Sequence, residues 1–292
     1  MKRKTFLKYA SFLPLSAGVM NINQLVSNLG AVLASPKMPV LFVGHGNPMN
    51  AITDNSYRRE WQQLGQKLPL PRAVLCVSAH WLTRGTAVTM MDHPRTIHDF
   101  GGFPDELYHQ QYPAPGAVAE AKSTIEKVKS VAIREDFEWG LDHGAWSVLK
   151  SMYPQADVPV YQLSIDYGKP AVYHYDLARE LAFLRNRGVL IVASGNVVHN
   201  LGMVKWRGET APYDWALEFD DLVKKSIETH NDQTLVEYPQ AGRIASLAHP
   251  TNDHYLPLMY ALGVREKDED FWFFNDSFDM GSISMRSVVF GG

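Results

Sequence analysis

Three apolar runs constrain this chain more than anything else in it, because each one leads into a histidine. Pro39-Val40-Leu41-Phe42-Val43 reaches Gly44-His45-Gly46, and Ala73-Val74-Leu75-Cys76-Val77 reaches Ser78-Ala79-His80-Trp81. Gly188-Val189-Leu190-Ile191-Val192 reaches Ala193-Ser194-Gly195-Asn196, with His199 close behind. Continuous apolar stretches bounded by Gly and Ser read as central strands of a parallel sheet covered on both faces. Ligands of such sheets bind outside the carboxyl ends of the strands. Imidazoles delivered to that one edge converge in space although they are distant in sequence, which is how a metal site is built. A single strand-end histidine, one of 11 in the chain, is as readily a satisfied core or surface residue. Three at equivalent positions, each beside a small residue that lets backbone or ligand approach, favour the site.

The remaining pattern alternates. Helices are predicted over Thr53–Leu68 (capped by Thr53 or Asp54), Pro115–Ser130, Trp146–Tyr153, Ala171–Asn186 (stopped by Gly188) and Tyr213–His230. Further strands are predicted over Thr86–Met91, Val158–Ser164, Phe271–Asn275 and Ser282–Phe290. Helix and strand alternation without repeats or linkers predicts one α/β domain over residues 38–292. Its central sheet is mainly parallel or mixed, flanked by helices, with the site at the carboxyl ends of the strands. A chain of 292 residues, 46% hydrophobic, can bury such a core.

The first 37 residues differ from the rest. A basic start, Lys2-Arg3-Lys4, precedes an interrupted apolar stretch and a small-residue cleavage pattern at Val32-Leu33-Ala34. Arg3-Lys4-Thr5-Phe6-Leu7-Lys8 looks like a twin-arginine export signal with its second arginine replaced by Lys4. Export to the periplasm is the expectation, with a mobile segment on a cytoplasmic protein as the alternative. The stretch is too short and broken for a stable membrane span. A net charge of −3 with no Lys/Arg stripe argues against nucleic acid. The lone Cys76 lies inside a strand and reads as a small buried hydrophobe, so any metal is held by nitrogen and oxygen.

Two polar, glycine-containing loops add candidates: Asp92–Pro104, carrying His93 and His98, and Phe137–Trp146, carrying His143. His98 is equally consistent with local hydrogen bonding; His93 and His109 favour the surface. A fourth strand-edge histidine comes from Ala248–Leu258, where a helix is predicted to start near Asp253. That start would place His254 against the positive end of the helix dipole, which keeps an imidazole neutral and able to bind metal. His249 competes with it on spacing alone.

Seven segments in order then resemble one family. They are Gly44–Met49, Ser78–Trp81, Ile97–Pro104, Tyr112–Gly116, Asp142–Trp146, Ser194–Asn200 and His254–Leu258. Together they resemble the DOPA-type branch of the class III (LigB-like) extradiol ring-cleavage dioxygenases, over essentially the whole of Met38 to the C-terminus. The resemblance implies a metal held by His45, His80 and His254. The wider class usually has a glutamate where His254 stands. Three neutral imidazoles suit Zn(II) as well as the Fe(II) that activity requires. By the same resemblance, His199 is the acid/base or a fourth ligand, and His143 contacts substrate or supports the ligands. His98, Trp81 and Phe103 are candidate substrate contacts, the aromatics equally at home in the core. The implied partners are a small aromatic diol and O2. Two alternatives stand beside this reading: a zinc hydrolase using a metal-bound water, and a non-enzymatic metal-binding protein of the same fold. The sequence does not state an oligomeric order.

Overall fold

The three apolar runs pair side by side. In a computed structural model, residues 37–206 and 211–292 are described. The export expectation for residues 1–37 therefore lies outside the described residues, Lys37 apart. The main sheet contains β1 (Val40–Gly44), β2 (Ala73–Ser78), β3 (Val160–Gln162), β4 (Val189–Gly195), β5 (Phe271–Phe274) and β6 (Ser287–Phe290). Their order is β3-β2-β4-β1-β6-β5. The first four are mutually parallel, while β6 runs antiparallel to β1 and β5 antiparallel to β6. The sheet is mixed, with its parallel part in the centre.

Alternate strand residues enter opposite layers, as the pleat requires. Val40, Phe42, Leu75, Val77 and Ile191 meet α3 (Ala171–Leu181), α4 (Asp214–Glu228) and α5 (Leu256–Val264). Leu41, Val43, Val74 and Leu190 face Trp61 of α1 (Ser56–Lys67) and Trp146 of α2 (His143–Met152). With both faces covered, the strands need no polar positions until their ends. No helix among the described residues is long and apolar enough to cross a membrane.

Element boundaries shift where capping decides them. Helix α1 starts at Ser56 because the Asn55 side chain, rather than Thr53 or Asp54, accepts the Arg58 N–H. Helix α2 starts at His143, three residues before the apolar pattern, because Asp142 caps it through Ala145 N. The predicted 171–186 helix is α-helical to Leu181 and tightens into a 3₁₀ turn over Ala182–Arg187, which Gly188 (φ 77°) closes. The Pro115–Ser130 helix shortens to Val118–Lys127. The final predicted strand is broken in two. Ile283–Ser284 pairs with Phe278–Asp279, and Ser287–Phe290 joins the main sheet. Between them Arg286 turns to a buried ion pair with Asp220.

Candidate metal centre

The strand register decides which side chains can meet. Gly44 lies beside Gly195, and Ser78 beside Ser194, so β1, β2 and β4 finish level. His45 follows β1 and His80 follows β2 by two residues; His143 opens α2. His254 comes from the turn before α5, whose first residue is Leu256, three residues beyond the start predicted at Asp253. The His254 carbonyl accepts from Asn196 N at 2.9 Å, tying that turn to the end of β4. Gly195 makes this approach possible: a Cβ there would collide with the His254 carbonyl and stand 3.1 Å from Pro257 Cγ. Gly144 does the same at the start of α2, where a Cβ would crowd Ser78 Oγ and stand 3.0 Å from His80 Cδ2.

Five rings gather at this edge. The centroids of His45, His80 and His254 form a nearly equilateral triangle with sides of 5.0, 5.3 and 5.0 Å. His143 lies 3.8 Å from His80 and 5.4 Å from His45, ring to ring. Ligand nitrogens of His45, His80 and His143 all lie within 4.8 Å of one another. His199 stacks on His254 with centroids 3.5 Å apart and planes at 7°.

Hydrogen bonds on the far side of each ring determine which nitrogen is free. Ser194 Oγ donates to the Gly144 carbonyl at 2.6 Å, so it accepts from His45 Nδ1 at 3.0 Å. One carboxylate oxygen, Asp99 Oδ2, accepts from His143 Nδ1 at 3.0 Å and stands 3.2 Å from His80 Nδ1. Asp99 Oδ1 also accepts the His143 backbone N–H at 2.8 Å. His254 Nδ1 donates to Asp253. With Nδ1 carrying its proton, His45 turns a free Nε2 lone pair toward His80 Nε2 at 3.0 Å. Two ligands about 2.1 Å from one metal at right angles stand about 3.0 Å apart. The nitrogens of His45, His80 and His143 therefore fit a cation, with the His254 ring beside them.

Electrostatics agree. Burial, then the charges His254, His143 and His199 would carry, hold the His45 pKa well below its ordinary value. Burial and the same neighbours do so for His80. Burial and His254 lower His199 to about 2. Burial pushes the Asp99 carboxyl up, but its hydrogen bonds to His143 and that ring's charge outweigh this and leave it lowered. Neutral imidazoles supported by ionised carboxylates are the arrangement metal ligands need.

A cavity of about 420 Å³ opens over the rings. It is lined by His45, His80, His143, His199, His254 and Asp99, with Phe100, Phe103, Leu201, Trp206, Met280 and Ile283 as its apolar wall. Phe103 thus faces the cavity. Trp81 does not: it is buried and stacks on Trp139 at 5.9 Å. His98 lies behind the wall, donating from Nε2 to the Gln110 carbonyl at 2.9 Å and packing on Trp146. His249 is a core residue, bonded to the Val197 carbonyl and surrounded by Phe219, Tyr238 and Tyr255. His93 and His109 are exposed. Asp99, Asp253 and Ser194, which orient the rings, had no place among the candidates. Only Asp253, adjacent to its histidine, carried a local signal.

Comparison with known proteins places this architecture. A family model described as the catalytic LigB subunit of aromatic ring-opening dioxygenase matches residues 37–291. The "4,5-DOPA dioxygenase extradiol" of Escherichia coli K12 is 49% identical over 266 residues, covering 89% of this chain and 97% of its own. The Beta vulgaris protein of that name is 35% identical over 260 residues, covering 85% and 95%. A crystal structure of an uncharacterized Escherichia coli K12 protein superposes with a TM-score of 0.76 at 46% identity, over 87% of this chain and all of that one.

Proposed function

This chain belongs to the LigB family of aromatic ring-opening dioxygenases, and from that premise we propose that it cleaves a catechol beside one hydroxyl, inserting both atoms of O2. The observation that carries the reading is the convergence of the His45 and His80 Nε2 atoms, 3.0 Å apart, beneath the cavity. His45, His80 and His254 would hold the metal. Fe(II) there would supply the electron transfer that lets O2 react with a catecholate, which Zn(II), having no redox chemistry, would not.

The protein's own groups then have distinct roles. A catechol must lose a proton to chelate through both oxygens, and a neutral imidazole within reach can take it. His199 suits that role, because its ring lines the cavity and stacks on His254. His143, fixed by two bonds to Asp99, presents Nε2 to the same space and would accept from the second hydroxyl. The apolar wall excludes water from the reacting ring. A zinc hydrolase would want a carboxylate base free to act. Asp99, the carboxylate lining the cavity among the described residues, is already engaged by His80 and His143.

The test is oxygen uptake by anaerobically reconstituted Fe(II) protein against a catechol panel including DOPA, with a zinc-loaded control. Stoichiometric uptake with a new visible absorbance, seen only with iron, is the expected result. No uptake with any catechol, in protein shown to hold iron, refutes it.

A further inference from the structure

Met280 lines the cavity with its backbone in the left-handed region, at φ 48°. Among the described residues, Ala156, His230 and Asn275 are the other non-glycines with positive φ, and none of them lines the cavity. The conformation is disfavoured for any residue with a Cβ, which crowds the following carbonyl oxygen. Glycine adopts it freely, yet here a long side chain stands in its place.

The turn is fixed from outside. The Met280 carbonyl accepts the Lys205 N–H at 3.0 Å, the Gly281 carbonyl the Tyr213 N–H at 3.1 Å, and the Ser282 carbonyl the Asn200 N–H at 3.2 Å. Gly281 is itself left-handed, at φ 76°, and a Cβ there would stand 2.9 Å from Lys205 Cδ and 3.1 Å from the Ala211 carbonyl oxygen. Ile283 pairs with His199, so the pairing that sets His199 in the cavity also sets the turn that carries Met280.

Strain that neighbours hold in place beside a reaction cavity points to a use for the side chain it presents. That side chain is the thioether among the described lining residues. A thioether is soft, polarisable and adaptable, and it makes favourable contacts with aromatic rings. A catechol held at the histidine cluster would bring such a ring into the same cavity. Resting on the ring-cleavage reading, we infer that Met280 is a substrate-binding residue: its thioether packs on the catechol ring, and the left-handed Met280-Gly281 turn aims it there.

Catechol itself is the probe, in zinc-loaded protein that binds it without turnover. With isotope-labelled methionine methyl groups, the Met280 signal is assigned by its loss in Met280→Leu. On saturation with catechol it should move upfield, as contact with a ring face requires. Met280→Gly, whose backbone suits the turn, should bind catechol about three- to tenfold more weakly. Met280→Leu, with an apolar side chain on the same turn, should lose less. Gly281→Ala leaves every lining side chain in place but crowds Lys205 and Ala211, and should also weaken binding. In the iron-loaded enzyme the loss should appear in KM, with kcat within about threefold of its original value. A Met280 methyl signal unmoved by saturating catechol, Met280→Gly binding equal to the unsubstituted protein, or no binding of catechol at all overturns the inference. Absence of oxygen uptake with iron in place refutes ring cleavage instead, and the methyl shift and zinc-loaded binding still decide the role of Met280.

Discussion

Gly195→Ala isolates the contact that seats the third ligand. Gly195 does two things at once: its carbonyl accepts the His45 N–H at 3.2 Å, and its Cα side abuts the His254 carbonyl. A methyl there would stand 3.2 Å from the His254 carbonyl carbon and 3.1 Å from Pro257 Cγ, and would overlap the carbonyl oxygen. Neither side is the end of a flexible side chain. The clash is relieved only by moving the turn that carries His254 away from β4, which also stretches the 2.9 Å bond from Asn196 N. Inserting one carbon into packing this close costs about 1–3 kcal/mol. At about 2–4 °C per kcal/mol for a large domain, the melting temperature falls by about 2–12 °C. Displacing one of three ligands lowers metal affinity by about tenfold or more. Thermal unfolding by circular dichroism and metal titration against a competing chelator measure the two effects. Gly101→Ala is the control, because a Cβ there meets nothing within 4 Å. Gly195→Ala protein that melts and binds metal as Gly101→Ala does would refute the argument that this glycine positions His254.

Three further outcomes follow from the same geometry. Asp99→Asn removes the charge that holds the Nδ1 protons of His80 and His143, so metal affinity should fall by about 10–100-fold; unchanged affinity in a chelator competition would show that the carboxylate does not orient the rings. His199→Ala should keep its metal and lose about 100-fold or more in ring-opening rate; a drop of tenfold or more in metal affinity would make His199 a ligand instead. His174, bonded to Tyr260 and remote from the site, is lowered by burial to about 4. The unfolded chain takes up that proton near pH 6.5, so this residue's contribution is whole above that value and lost as pH falls toward 4. Between pH 7 and 5 the loss from this residue is about 2 kcal/mol, so His174→Phe should shrink the acid shift of the urea midpoint by about that much; an unchanged shift would refute it.

How much of this was legible depends on range. Strands β1, β2 and β4 show in the sequence because a strand buried on both faces must be apolar at every position, and Gly or Ser must follow where the sheet edge opens. Helix starts are misread wherever the cap lies outside the apolar period: Asn55 for α1 and Asp142 for α2. The break at Met285-Arg286 was hidden because its cause, Asp220, is 66 residues away. His254 and His249 have similar neighbours in sequence. They separate only when Gly195 draws the turn before α5 to the sheet edge, while His249 sinks among Phe219, Tyr238 and Tyr255.

The site itself divides along the same line. A motif can say that a histidine reaches the edge, but a metal binds a lone pair, and which nitrogen keeps one depends on what accepts from the other. Those acceptors come from elsewhere: Asp99 from a long loop for His143, with His80 Nδ1 3.2 Å from the same carboxylate, and Ser194 from the neighbouring strand for His45. Ser194 can accept only because its own hydrogen is given to Gly144, where the absence of a side chain leaves room for His80 and Ser78. The free lone pair on His45 therefore rests on two residues from two elements, Ser194 of β4 and Gly144 of α2. Substituting either of them would leave every histidine in place, and every motif recognisable, while changing what the cluster can hold.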